Sequence, residues 1–217
     1  MSLGELYLVT DRTLSGERPL EEVVARAVRG GVSIVQLREK EASTRFFVEA
    51  AARMKQLLDP LGIPLIINDR VDVALAVGAA GVHIGQEDMP YPLARRLLGP
   101  RAIIGLSVET EEQVLEAEAY DVDYLAVSPV FLTPTKTDTR GSWGLEGLAR
   151  VRRLSRHRLV AIGGLNAANA AQAIAAGADS IAVVSAICAA PNPETAAAEL
   201  NQIIRAALAA RPKGDRR

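Results

Sequence analysis

The sequence predicts an α/β protein that closes into a (β/α)8 TIM barrel and forms a single domain. Three observations lead there. Short runs rich in Val, Ile and Leu recur along all 217 residues. Stretches with apolar residues at helical spacing lie between them. The alternation is strict, and eight strand–helix units of about 27 residues use nearly the whole chain. Strict alternation calls for a parallel sheet covered by helices. Eight units are the number that closes such a sheet on itself. A doubly wound open sheet is the alternative left by the same alternation, and it more often has about five to seven strands.

The elements follow in order. Strands are predicted at Glu5 to Thr10, Ser33 to Leu37, Pro64 to Ile67, Gly81 to Ile84, Ala102 to Leu106, Asp123 to Val127, Arg158 to Ile162 and Ser180 to Val184. Continuous apolar runs this short suit strands buried on both faces. The first helix is predicted at Leu20 to Arg29, where Leu20, Val23, Val24, Ala27 and Val28 form one face at i, i+3, i+4, i+7 and i+8. The same pattern predicts helices at Thr44 to Leu58, Val71 to Val77, Pro92 to Leu98, Thr110 to Glu118, Gly144 to Leu154, Ala167 to Ala176 and Pro193 to Ala209. Gly30-Gly31, Gly78, Gly99 and Gly177 fall where helices should stop. No Pro-, Ser- or Gly-rich linker divides the chain, so residues 1–210 are read as one domain. Residues 211–217 are charged, lack an apolar face and are expected to fray.

Composition excludes several function classes. There are 25 Lys+Arg against 26 Asp+Glu, a formal net charge of −1. That balance gives no general affinity for nucleic acid or acidic membranes. The single cysteine, Cys188, has no internal partner for a disulfide. No apolar run approaches about 18 residues, and the N-terminus lacks a basic then apolar leader, so a cytoplasmic location is expected. A homo-oligomer formed through the outer helices remains open. No CxxC or HxxxH spacing suggests zinc or iron.

In such a barrel the chemistry sits at the C-terminal ends of the strands. Strand two ends in Gln36-Leu37-Arg38-Glu39-Lys40, strand three leads into Asn68-Asp69, and strand four leads to Asp88. Strand five ends at Ser107, and strand six leads through Ser128-Pro129 to Thr133-Pro134-Thr135-Lys136. Strand seven ends in Gly163-Gly164 and strand eight in Ser185. Asp69 and Asp88 follow consecutive strands and can meet at the rim, where a carboxylate pair suits a hard divalent cation such as Mg²⁺. Arg38, Lys40 and Lys136 add the cations that a diphosphate leaving group needs. Five charged groups at strand ends favour such a site over ordinary rim ion pairs. Gly163-Gly164 and Ser185 match the place where many barrels hold a phosphomonoester through backbone N–H groups. The polar loop from Thr133 to Gly144 could close over a ligand. Cys188 is read as a small buried side chain. His83 is read as a packed, hydrogen-bonded imidazole more readily than a catalytic one, and His157 lies at the wrong end of its strand.

At these residues the chain resembles the thiamine phosphate synthase family. The matching stretches are YLVTDR at Tyr7 to Arg12, QLREK at Gln36 to Lys40, IINDRVDVALAVGAAGVHIGQEDMP at Ile66 to Pro90 and IGLS at Ile104 to Ser107. TPTKTD at Thr133 to Asp138, IGGL at Ile162 to Leu165 and AVVSAI at Ala182 to Ile187 complete the series in order. The resemblance implies a barrel that joins an aminopyrimidine diphosphate to a thiazole phosphate and needs Mg²⁺. Asp69 and Asp88 match the metal ligands. Gln36, Arg38, Lys40, Asn68, Ser107 and Lys136 match the aminopyrimidine and pyrophosphate contacts, with Arg38, Lys40, Ser107 and Lys136 as the catalytic set. Thr133, Pro134, Thr135, Gly164, Val184 and Ser185 match the thiazole phosphate contacts. Ser128 stands where the family more often has Gly, and Leu132 and Trp143 are also departures. Two related readings are a thiazole tautomerase and a non-catalytic regulatory barrel that binds thiamine precursors. The tautomerase branch typically has His after strand six and lacks an intact TPTK run, whereas here Pro129 and TPTK stand there.

Overall fold

The computed structural model describes residues 4–132 and 141–211. The strands are β1 (Leu6–Val9), β2 (Ile34–Leu37), β3 (Leu65–Asn68), β4 (Gly81–Ile84), β5 (Ile103–Val108), β6 (Tyr124–Val127), β7 (Leu159–Ile162) and β8 (Ser180–Val183). Each pairs in parallel with the next, and β8 returns to β1 with Tyr7 opposite Ala182. The sheet is therefore a closed barrel, which decides against the open-sheet alternative. The helices are α1 (Arg12–Ser15), α2 (Leu20–Arg29), α3 (Thr44–Leu58), α4 (Val71–Val77) and α5 (Tyr91–Leu98), then α6 (Glu111–Ala117), α7 (Gly144–Leu154), α8 (Ala170–Ala175), α9 (Ser185–Cys188) and α10 (Pro193–Ala210).

All eight predicted helices are present, as α2 to α8 and α10. The short α1 and α9 escaped the sequence reading because four residues carry no helical period. In α1 the local cap does the work: Asp11 Oδ1 accepts the Leu14 N–H at 3.0 Å. β5 runs on to Val108, and β3 includes Asn68. Polar residues in the sequence predict strand ends at both places, yet the ladder continues through them.

The two-residue pleat divides the core. Tyr7, Val9, Ile34, Ile66, Tyr124, Ala126, Val160 and Ala182 fill the barrel interior as one cluster. Their neighbours Leu6, Leu8, Val35, Leu37, Leu65 and Ile67 pack outward with the helices, against small residues such as Ala27, Ala50 and Ala51. Both strand faces are buried, as the apolar runs required. At one place the interior needs a missing side chain. Gly105 pairs with Tyr124 in the β5–β6 ladder, and a Cβ on Gly105 would stand 2.0 Å from Tyr124 Cζ. Glycine there lets the tyrosine ring lie across β5.

α10 packs against the end of α2, where a Cβ on Gly30 would meet the Glu194 carbonyl at 2.2 Å. Arg29 pairs with Glu194 at 2.9 Å beside it. Arg152 reaches Asp179 at 3.0 Å. Arg211, assigned to the tail from sequence, pairs with Asp179 at 3.2 Å and donates to the Ile174 and Ala178 carbonyls. Residues 212–217 lie outside the described residues. Among the described residues, no helix is long and apolar enough to cross a membrane.

Gly105→Ala should push a fully buried ring out of place. We expect a loss of about 1–3 kcal/mol of stability from this overpacking, read as a lower urea midpoint. A variant as stable as the parent would show that Tyr124 does not depend on the gap at Gly105.

Candidate active site

The C-terminal mouth of the barrel opens into a cavity of about 460 Å³. Its lower wall is made by interior core residues, including Tyr7, Tyr124, Ala126, Val160 and Ala182. Every described residue that the sequence singled out for the site lines it: Gln36, Arg38, Lys40, Asn68, Asp69, Asp88, Ser107, Gly164, Val184 and Ser185. Thr133, Pro134, Thr135 and Lys136 lie outside the described residues.

One side of the cavity is charged. Asp69 follows β3 with φ 61°, the left-handed region, and among the described residues no other non-glycine shares it. Its N–H bonds the His83 carbonyl at 2.8 Å, which fixes the turn. Asp88 Oδ2 accepts the Gly85 N–H at 2.7 Å, so β4's exit loop holds the second carboxylate. Burial first, then the Asp88 carboxylate beside it, push the Asp69 carboxyl up to about 6, against the pull of Lys40 and Arg38. Two acids in contact resist a second negative charge, and a cation would relieve that. Among the described residues no group of three or more His, Cys, Asp or Glu could hold a metal alone. The donor set fits Mg²⁺, which binds through one or two carboxylates and completes its shell with water and ligand phosphate oxygens.

The nearby cations are sorted by pairing. Glu39 takes Arg12 at 2.6 Å, and Arg70 turns outward to Asp72 at 2.6 Å. Arg38 and Lys40 line the cavity, and among the described residues neither has an ion-pair partner. The rim-ion-pair alternative therefore applies to their neighbours and not to them.

The opposite side is built from backbone. Gly163 and Gly164 turn with φ 103° and 65°. A Cβ on Gly163 would lie 2.5 Å from Pro129 Cβ, and one on Gly164 would lie 2.8 Å from Phe131 Cβ. Only glycine brings this turn so close to the β6 exit. Ser185 opens α9, whose first turn has no side-chain cap.

The sequence reading missed a polar group beneath the rim. Gln36 Nε2 donates to the Tyr7 hydroxyl at 2.8 Å, and that hydroxyl lies 2.8 Å from the Tyr124 hydroxyl. His83 Nδ1 is 3.1 Å from the Tyr124 hydroxyl, and His83 Nε2 is 2.9 Å from Ser107 Oγ. His83 is thus packed and hydrogen-bonded as expected, but it also faces the cavity. The two tyrosines read as apolar strand residues. A signal was available in the scarcity of aromatics, 4% of the chain, with two of them at inward strand positions. Cys188 is fully buried, as read from sequence, and burial pushes its thiol up to about 11. His157 lies away from the cavity, buried with Nε2 3.2 Å from the Ala117 carbonyl.

Polar side chains gather at one end of a closed parallel barrel, with the carboxylates and cations on one side of the cavity and the glycine turn on the other. This is the end at which (β/α)8-barrel enzymes carry their active sites. Comparison with known proteins narrows the class. The family model described as thiamine monophosphate synthase matches residues 6–187. A thiamine-phosphate synthase of Albidiferax ferrireducens is 59% identical over 201 residues, covering 93% of this chain and 92% of the relative. One from Leptospira biflexa is 54% identical, covering 90% and 95%. The solved thiamine phosphate pyrophosphorylase of Pyrococcus furiosus superposes with a TM-score of 0.86 at 41% identity, covering 94% of this chain and 96% of that one. The chain belongs to the thiamine monophosphate synthase family, and it is a transferase.

The raised Asp69 carboxyl gives a pH signature. The folded, metal-free protein holds this proton more tightly than the unfolded chain, whose carboxyl has the ordinary value near 3.8. Stability is therefore lost as pH rises from about 4 through about 6. Asp69→Asn removes that loss, and asparagine accepts positive φ. In chelator-treated protein the variant should melt higher than the parent at neutral pH and equally at pH near 4. Equal melting at both pH values would contradict the crowded carboxylate pair.

Proposed function

We propose that the chain joins an aminopyrimidine diphosphate to a thiazole phosphate, releasing pyrophosphate and forming thiamine phosphate. The observation that carries this reading is the division of one cavity into a carboxylate–cation side and a glycine-turn side. Each side suits one phosphorylated substrate. Arg38 and Lys40 hold the diphosphate, joined by Lys136 of the polar loop. Asp69 and Asp88 hold Mg²⁺, which when bound neutralises charge on the departing oxygens. Gln36 and Asn68 orient the aminopyrimidine, and Ser107 reaches the diphosphate beside it. Gly164, Val184 and Ser185, with Thr133, Pro134 and Thr135, hold the thiazole phosphate.

The reaction breaks the bond between the pyrimidine methylene carbon and the diphosphate oxygen. The electron pair leaves with the diphosphate, and the electron-rich ring stabilises the cationic carbon. The thiazole nitrogen lone pair then forms the new C–N bond. No protein nucleophile is required, which agrees with a buried, high-pKa Cys188. Orientation and electrostatics supply the acceleration. Residues 1–210 act as one domain in the cytoplasm. Pro129 after β6, lining the cavity where the tautomerase branch typically has His, supports the synthase reading.

A coupled pyrophosphate-release assay with both substrates, with and without Mg²⁺, tests the reading. Release should require both substrates and the metal. Asp88→Asn should raise the Mg²⁺ concentration for half-maximal rate about tenfold or more, and Lys40→Ala should lower kcat by about 10²–10³. Absence of pyrophosphate at saturating substrates would overturn the reading. Parental metal dependence in Asp88→Asn would remove Asp88 from the metal site.

A further inference from the structure

The hydrogen bonds under the rim join five side chains on five strands: Gln36 of β2, Tyr7 of β1, Tyr124 of β6, His83 of β4 and Ser107 of β5. Tyr7, Tyr124, Gln36 and His83 line the cavity yet are buried, Tyr7 and Tyr124 almost completely, so the two hydroxyl protons are held by the chain itself. Burial also raises both phenols well above their ordinary range, so each keeps its one proton.

Those constraints give the chain a direction. An amide NH₂ only donates. Tyr7 accepts it from Gln36 and passes its own proton to Tyr124. Tyr124 passes its proton to Nδ1 of His83, which must therefore carry a lone pair. The ring proton sits on Nε2 and is donated to Ser107 Oγ. The hydroxyl proton of Ser107 is left for the cavity that Ser107 lines. If the amide oxygen faced Tyr7, every bond would reverse, and Ser107 would spend its proton on His83.

We infer that this chain has one polarity, from Gln36 to Ser107, and that Tyr7, Tyr124 and His83 are positioning residues which hold the Ser107 hydroxyl as a donor to an anionic ligand oxygen. The identity of that oxygen, on the diphosphate, rests on the proposed function; the polarity does not.

The tautomer of His83 reports the polarity directly, without substrate. The chain has two histidines, and His157 is an internal reference because its Nε2 faces a carbonyl oxygen, which only accepts. Nitrogen-15 NMR of the full chain, at a pH where imidazole is neutral and carboxylates are ionised, should show His83 protonated on Nε2. Gln36→Glu replaces the donor with a group that only accepts, so the chain should reverse and His83 should move to the Nδ1–H form, with His157 unchanged. In a Tyr7→Phe background the link is cut, and Gln36→Glu should then leave the His83 signal where Tyr7→Phe alone puts it. His83 protonated on Nδ1 in the parent would overturn the inference without any variant. So would an unmoved tautomer in Gln36→Glu, or the same movement with Tyr7 removed.

Kinetics test the end of the chain. Ser107→Ala should slow pyrophosphate release about ten- to a hundredfold, with Ser107→Thr retaining most of the rate. Gln36→Glu should cost less in the Ser107→Ala background than in the parent. Equal costs would detach Ser107 from the chain. An Nε2–H His83 in a protein that releases no pyrophosphate would overturn the functional reading and leave the polarity standing.

Discussion

The pairing of β8 with β1 is the constraint on which the rest depends. A closed sheet has no edge, and its interior admits only alternate residues from each strand. That interior is covered at one end by core side chains and opens at the other. Polar groups placed inward near the C-terminal strand ends therefore have one place to go, and they converge from different strands without any further device. Asn68 of β3, His83 of β4 and Ser107 of β5 meet in this way although 39 residues separate the first from the last.

Depth within the barrel then sorts polar groups by their cost. Moving an ion out of water is expensive unless it is paired, whereas a neutral group needs only hydrogen bonds. Arg38, Lys40, Asp69 and Asp88 accordingly stand on residues that exit the strands, where none is fully buried. The level below holds two phenols and an amide, neutral and mutually bonded. Aliphatic residues such as Ile34 and Ile66 pack around the phenols in the same interior cluster. The near-zero net charge of the chain conceals this segregation. The pairings Arg12–Glu39 and Arg70–Asp72 consume the neighbouring charges and, among the described residues, leave Arg38 and Lys40 without an ion-pair partner.

Much of this was legible in the sequence, for physical reasons. Strands buried on both faces must be continuous apolar runs, so all eight could be located within one or two residues at most ends. Rim residues break those runs with charge, which is why Arg38, Lys40, Asp69 and Asp88 stood out. The level beneath was not legible. Tyr7 and Tyr124 satisfy the apolar pattern whichever face they occupy, and only the register that sets Tyr124 opposite Gly105 turns it inward with room to lie flat. His83 looked like a packed residue because it is one; its second role depends on partners 24 and 41 residues away. The helices α1 and α9 were too short to show a period.

The two levels divide the chemical task. In the proposed reaction, diphosphate departure would leave negative charge at the rim and positive charge on the carbon below it. Cations are useful against the first and harmful beside the second. A floor of protonated tyrosines and a glutamine carries dipoles without net charge, so it can orient a heteroaromatic ring without repelling the cation that forms on it. Burial, by keeping both phenols protonated, maintains that neutrality. A charged floor would bind one substrate more tightly and oppose the step that follows. The neutral floor and the charged rim are in this sense one arrangement, and the glycine at position 105, with no side chain to offer, seats the tyrosine that lines the cavity.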